Sequence, residues 1–131
     1  MTHEQLSTCV GGSARIAYDF TFEVAYINRR FAKRLRGVTP EPMPEGWIVA
    51  PDGFRERESA TAELRASAAE LMEAWNEVAK DELDRVIALP SGATTFPADL
   101  IALATHHCGY HDAQLNYIQA LHGDLEMHWS D

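Results

Sequence analysis

Two histidines, His107 and His111, stand four residues apart in the segment HCGYHDAQLNYIQ. A helix turns about 100° per residue, so side chains at i and i+4 point the same way, roughly 40° apart. That spacing offers two imidazole nitrogens to one metal ion. Leu100, Ala104, Leu115, Ile118 and Leu121 recur around them at three- and four-residue steps, and both histidines fall inside this apolar stripe. A buried imidazole without a partner costs about 1–3 kcal/mol. The partner is a shared metal, a carboxylate or a backbone carbonyl.

A second pair has the same spacing. Asp19 and Glu23 lie at the edge of an apolar stripe marked by Ile16, Phe20, Val24 and Ile27. Acidic groups beside such a stripe are rarely left unpaired. If the two helices pack together, two carboxylates face two imidazoles, which is how helix bundles build metal sites. Two histidines and one carboxylate leave coordination positions free for water or substrate. The alternative is two hydrogen-bonded histidines and two surface carboxylates with no metal.

Three long helices are predicted to position these residues. The first runs from Ser13 to Arg36, where Gly37 and then Pro40 stop it. The second runs from Ser59 to about Ala79, carrying Leu64, Ala68, Leu71, Trp75 and Val78. The third starts at Pro97, a favoured first-turn residue, and reaches Leu121 or His122 before Gly123. Between the first two lies a segment, Gly37 to Arg57, too rich in proline and glycine to be helical throughout. Loops of this length are often lids or binding loops, and Trp47 and Phe54 are the residues expected to anchor this one by burial; the alternative is a loop that merely covers one end of the bundle. The connection from Leu89 to Phe96 carries turn chemistry in Pro90-Ser91-Gly92. Twelve residues before Ser13 leave no room for a fourth helix of full length. Three amphipathic helices leave an apolar face that a second copy would cover.

The composition narrows the function classes. A chain of 131 residues suits one domain, 1–131. Its net charge of −9 argues against nucleic acid as a partner, because phosphate binding needs clustered Lys and Arg. The one basic cluster, Arg29, Arg30, Lys33, Arg34 and Arg36, reads as a solvated helix end. No run approaches the ~18–20 apolar residues of a membrane span. The opening residues lack the basic start and apolar run of a signal peptide. Cys9 and Cys108 are far apart in sequence, which suggests reduced thiols and a cytoplasmic location. Cys108 is expected to pack as a small core residue, His106 to sit at a rim, and His122 and His128 to lie at or beyond the last helix end. Tyr110 and Tyr117 fall on the outer face and are candidates for a dimer interface.

The last-helix motif resembles that of the DinB-like superfamily. There His-x3-His is followed by Gln three residues later, then by Tyr and a Gly-Asp ending; here the matching residues are His107, His111, Gln114, Tyr117, Gly123 and Asp124. The segment from Ser13 to Glu23 resembles that family's second helix, in which a histidine is followed four residues later by glutamate. Asp19 stands where the histidine would be, and Glu23 matches the glutamate. The resemblance implies an all-α, up-down helical bundle with three long helices and a long loop after the first, completed by dimerisation. It implies a divalent metal ion (Zn, Ni, Mn or Fe) held by Asp19, His107 and His111. Glu23 and Gln114 are then further ligands or groups that orient the ligands. It also implies a metal-dependent thiol transferase or related metalloenzyme acting on a low-molecular-weight thiol or other small molecule, with hydrolysis as a variant on the same ligands. A different class of reading is a metal-free dimeric bundle serving as a structural or interaction module.

Overall fold

Apolar periodicity becomes helix at the three places where it recurs. The computed structural model describes residues 1–126 and contains α1 (His3–Ser7), α2 (Ala17–Leu35), α3 (Arg57–Asn76) and α4 (Pro97–Leu121). His128 lies outside the described residues. The expected all-α architecture with three long helices and a long loop after the first is present. α2 begins four residues later than the sequence suggested, with Ile16 at its N-cap position. It ends as expected: Gly37 adopts φ 75°, and the Val38 N–H donates to the Lys33 carbonyl at 2.8 Å. α1 is a single capped turn, closed by reciprocal hydrogen bonds between Thr2 and Gln5.

α2 is the central element. Its buried residues include Phe20 and Val24 of the expected stripe, but also Ala17, Tyr18, Ala25, Asn28, Ala32 and Leu35. It packs along α3 on one flank and α4 on another, so burial wraps most of its circumference. Small residues of α3 let the two helices approach. Ala60 packs in a cluster with Tyr18, Ser67 accepts a hydrogen bond from Asn28 Nδ2 at 3.3 Å, and Ala74 packs with Ala32 and Leu35.

These pairings correct the up-down expectation for the first two long helices. Contacts advance in step, from Tyr18 with Ala60 through Asn28 with Ser67 to Arg36 with Glu77, so α2 and α3 run parallel. A parallel return must cover the length of α2, roughly 28 Å at 1.5 Å per residue. The long connecting segment can span that distance because extended chain covers about 3.3 Å per residue. It runs back to the start of α2, burying Ile48, Ala50 and Phe54 on the way. Phe54 is thus the expected anchor. Trp47 is not, being 72% exposed. α4 runs antiparallel to α2, with Leu100 and Ala104 beside Ala32 and Leu35, and Ile118 beside Phe20.

The basic cluster is not a free solvated face. Arg30 and Arg34 are buried, and Arg34 Nη1 donates to the Ala88 carbonyl at 2.6 Å. Burial, with the nearby Arg30 charge, lowers the Arg34 pKa. Arg29 pairs with Glu63 and Glu70, Arg36 with Glu77 and Glu70, and Lys33 with Glu41. Arg29 and Arg36 therefore form an ionic seam with α3, a role that periodicity on one helix cannot reveal. Ala88 belongs to a two-residue strand, β1 (Ile87–Ala88), paired antiparallel with β2 (Thr94–Thr95) around the expected turn. Cys9 and Cys108 are both free thiols and both exposed, so Cys108 is not the core residue that its neighbours suggested. His106 and His122 are exposed, as expected. No helix among the described residues is long and apolar enough to cross a membrane.

Candidate metal centre

The antiparallel crossing of α2 and α4 brings Glu23, His107 and His111 together. Their donor atoms lie within 4.8 Å of one another. His107 Nε2 and His111 Nε2 are 3.1 Å apart, and Glu23 Oε1 lies 3.5 Å from the first and 3.9 Å from the second. The circle through three points so separated has a radius of about 2 Å, the length of a zinc–nitrogen or zinc–carboxylate bond. The two nitrogens and one oxygen therefore fit a divalent ion of borderline hardness in both spacing and chemistry.

Each histidine is set by its helix position and its neighbours. His111 is 4% exposed, with its ring stacked on Phe20 at 5.4 Å and an interplanar angle of 8°. Its Nδ1–H donates to Gln114 Oε1 at 2.7 Å, which leaves the Nε2 lone pair on the side of Glu23 and His107. Burial pushes the His111 pKa below the ordinary imidazole value. The His107 and Arg15 charges add to that effect, while the Gln114 hydrogen bond and Glu23 act against it. The neutral imidazole is the form that binds a metal. The His107 ring meets His111 edge-on, 4.6 Å between centroids at 89°. His107 Nδ1 is buried without a hydrogen-bond partner.

Asp19 is not part of this group. Its Oδ1 accepts the Ala50 N–H at 2.9 Å and lies 3.5 Å from Arg55 Nη2. One helical turn separates Asp19 from Glu23, and the returning loop, which passes the first turn of α2, engages the earlier carboxylate. The later one is left for the histidines. Gln114 is within reach of His111, as the i+3 spacing suggested, and its Nε2 donates to Tyr110 Oη at 3.4 Å.

A pocket of about 620 Å³ opens over the three donors, a size typical of small-molecule sites. Phe20, Ile118, Tyr110 and Tyr117 form much of its wall, with Trp47 contributed by the loop and Val10 by the N-terminal segment. Sequence reasoning did not find Arg15. It lies just before α2, outside any helical period, and its Nη1 pairs with Glu23 Oε2 at 2.5 Å. Its only sequence signal is a basic residue eight positions before the acidic one.

The family profile described as the DinB superfamily matches residues 24–115. That span begins one residue after Glu23 and contains both histidines, all of α3 and most of α4. No curated protein and no solved structure gives a significant match. With the matched span covering most of the chain, and both histidines of the last-helix motif inside it, this chain belongs to the DinB superfamily.

Proposed function

We propose that this protein binds a divalent metal ion through Glu23 Oε1, His107 Nε2 and His111 Nε2. We further propose that it uses the overlying pocket for metal-dependent chemistry on a small molecule, with thiol transfer as the leading reaction class. The observation that carries the reading is the convergence of two imidazole nitrogens and one carboxylate oxygen at bond-length radius. A divalent ion at such a site lowers the pKa of a thiol and presents it as a nucleophilic thiolate. The chain's own residues supply the rest. Phe20 and Gln114 hold the His111 ring on one face and at one nitrogen. The aromatic pocket wall excludes water and takes the apolar part of a substrate. Exposed Leu103, Tyr117 and Leu121 on α4 support the further proposal that a second copy covers part of this helix.

Metal content measured by plasma mass spectrometry on tag-free protein tests the reading. Near-stoichiometric zinc, nickel, manganese or iron is expected, lost in the His107→Ala/His111→Ala double variant. The same low metal content in both proteins after incubation with each ion would overturn it.

A further inference from the structure

Glu23 has two carboxylate oxygens, and Oε1 is the one nearest the histidines. The other, Oε2, accepts from Arg15 Nη1 at 2.5 Å. Arg15 is itself held from two more directions. Its Nη2 donates to the Ile48 carbonyl at 2.8 Å, and its guanidinium lies 5.0 Å from the centroid of the Trp47 ring. Its side chain is 15% exposed, and its Nε is buried without a partner, so the group is committed to this arrangement by packing. Arginine stays charged at any working pH and cannot leave the pair by losing a proton.

We propose that Arg15 is a positioning residue that holds Glu23 as a one-oxygen donor to the metal. The centre then takes one atom from each of three residues and favours ions of low coordination number. The proposal rests on the metal-binding reading above. Chelation by both oxygens of Glu23 would set the ion on Oε2 as well, where the Arg15 guanidinium already sits and repels a second cation. Large, hard ions such as calcium are commonly satisfied by two-oxygen carboxylates, whereas zinc and cobalt accept tetrahedral sets with one atom per ligand. Three fixed donors with Oε2 engaged elsewhere match the second group. Asp19, the other carboxylate of this part of α2, is already paired with Arg55 and the Ala50 N–H and does not compete for Arg15.

Cobalt(II) loaded into the full chain tests both readings separately, because its visible absorption weakens as coordination number rises. Wild-type protein is expected to show the intense bands of a four- or five-coordinate ion. Arg15→Ala should still bind cobalt but with markedly weaker bands, and its preference for zinc over manganese should fall by roughly tenfold, the scale of lost support around a metal ligand. Arg15→Lys, which keeps a charge able to hold one oxygen, should recover much of the wild-type spectrum. Cobalt bound by Arg15→Ala with an unchanged spectrum overturns the proposal while leaving the metal site intact. No cobalt taken up by wild-type protein overturns the metal reading itself, and this proposal with it. Should Arg15→Ala not fold, infrared difference spectra of zinc-loaded against zinc-free wild-type protein, assigned with Glu23→Gln, read the Glu23 carboxylate directly. A wide separation of its two stretching bands supports one-oxygen binding, and a narrow separation overturns it.

Discussion

The amide of Gln114 fixes the protonation of His111. Gln114 Oε1 lies 2.7 Å from His111 Nδ1, and Gln114 Nε2 donates in turn to Tyr110 Oη. An amide oxygen can only accept, so the hydrogen sits on Nδ1 and Nε2 keeps its lone pair for the group formed with His107 and Glu23. Orientation of this kind typically accounts for 10–100-fold in metal affinity.

Gln114→Ala is therefore expected to weaken zinc binding by roughly 10–100-fold, read by competition with a chromophoric chelator. Gln114→Glu keeps an acceptor at the same place and is expected to hold or increase the affinity. Equal affinities for all three proteins would show that the amide does not set the ligand's tautomer.

Asp19 and Glu23 share a helix and a spacing but not a role, and substitution separates them. Glu23→Gln removes the charged donor and is expected to lower zinc affinity by at least about tenfold. Asp19→Asn is expected to leave metal stoichiometry unchanged. Asp19→Ala instead strands the N–H of buried Ala50, at a cost of about 1–3 kcal/mol in urea unfolding. Metal loss from Asp19→Asn with retention in Glu23→Gln would reverse the assignment of these two carboxylates.

The pH dependence of the metal-free protein carries the signature of His111. Its pKa in the fold is lowered from the ordinary 6.5, chiefly by burial. The unfolded chain therefore binds the proton more readily, and stability rises with pH wherever that difference holds. The contribution is complete above about pH 6.5 and is lost as the pH falls toward the folded pKa, with a slope of up to about 1.4 kcal/mol per pH unit. Urea unfolding of chelator-treated protein between pH 5 and 8, beside His111→Gln, measures it. The variant's profile is expected to be flatter in this window; two superimposable profiles would remove His111 as the source.

The helices and the histidine pair were legible in the sequence because each is a local signal. His107 and His111 need only one helix to come together, and Pro97 and Gly123 bracket that helix. The choice between Asp19 and Glu23 was not legible. Both satisfy the i+4 pattern, and the deciding contact is the Ala50 N–H, which lies 31 residues from Asp19 and arrives through a loop without periodicity. The parallel course of α2 and α3 was hidden for the same reason. Loop length permits it, but only inter-helix pairs such as Asn28 with Ser67 reveal it. Arg30 and Arg34 misled because charge runs are usually solvated, whereas here the helix that carries them is surrounded.

Leu100 tests whether the metal centre and the core are separable. It is fully buried in the first turn of α4, in the cluster where Ala32 and Leu35 of α2 meet Leu71 and Ala74 of α3. His107 lies seven residues further along the same helix, about 10 Å away by helical rise. Leu100→Ala removes core contacts and leaves a cavity, and is expected to cost about 2–5 kcal/mol in urea unfolding. The donor triangle lies beyond that cavity and depends on Phe20, Gln114 and Arg15, none of which belongs to the cluster. Zinc stoichiometry is thus expected to survive, and saturating zinc at about 100 times its Kd should restore about 2.7 kcal/mol of stability. Loss of zinc by a folded Leu100→Ala protein would mean that this cluster, and not the neighbours of His111 and Glu23, sets the spacing of the donors.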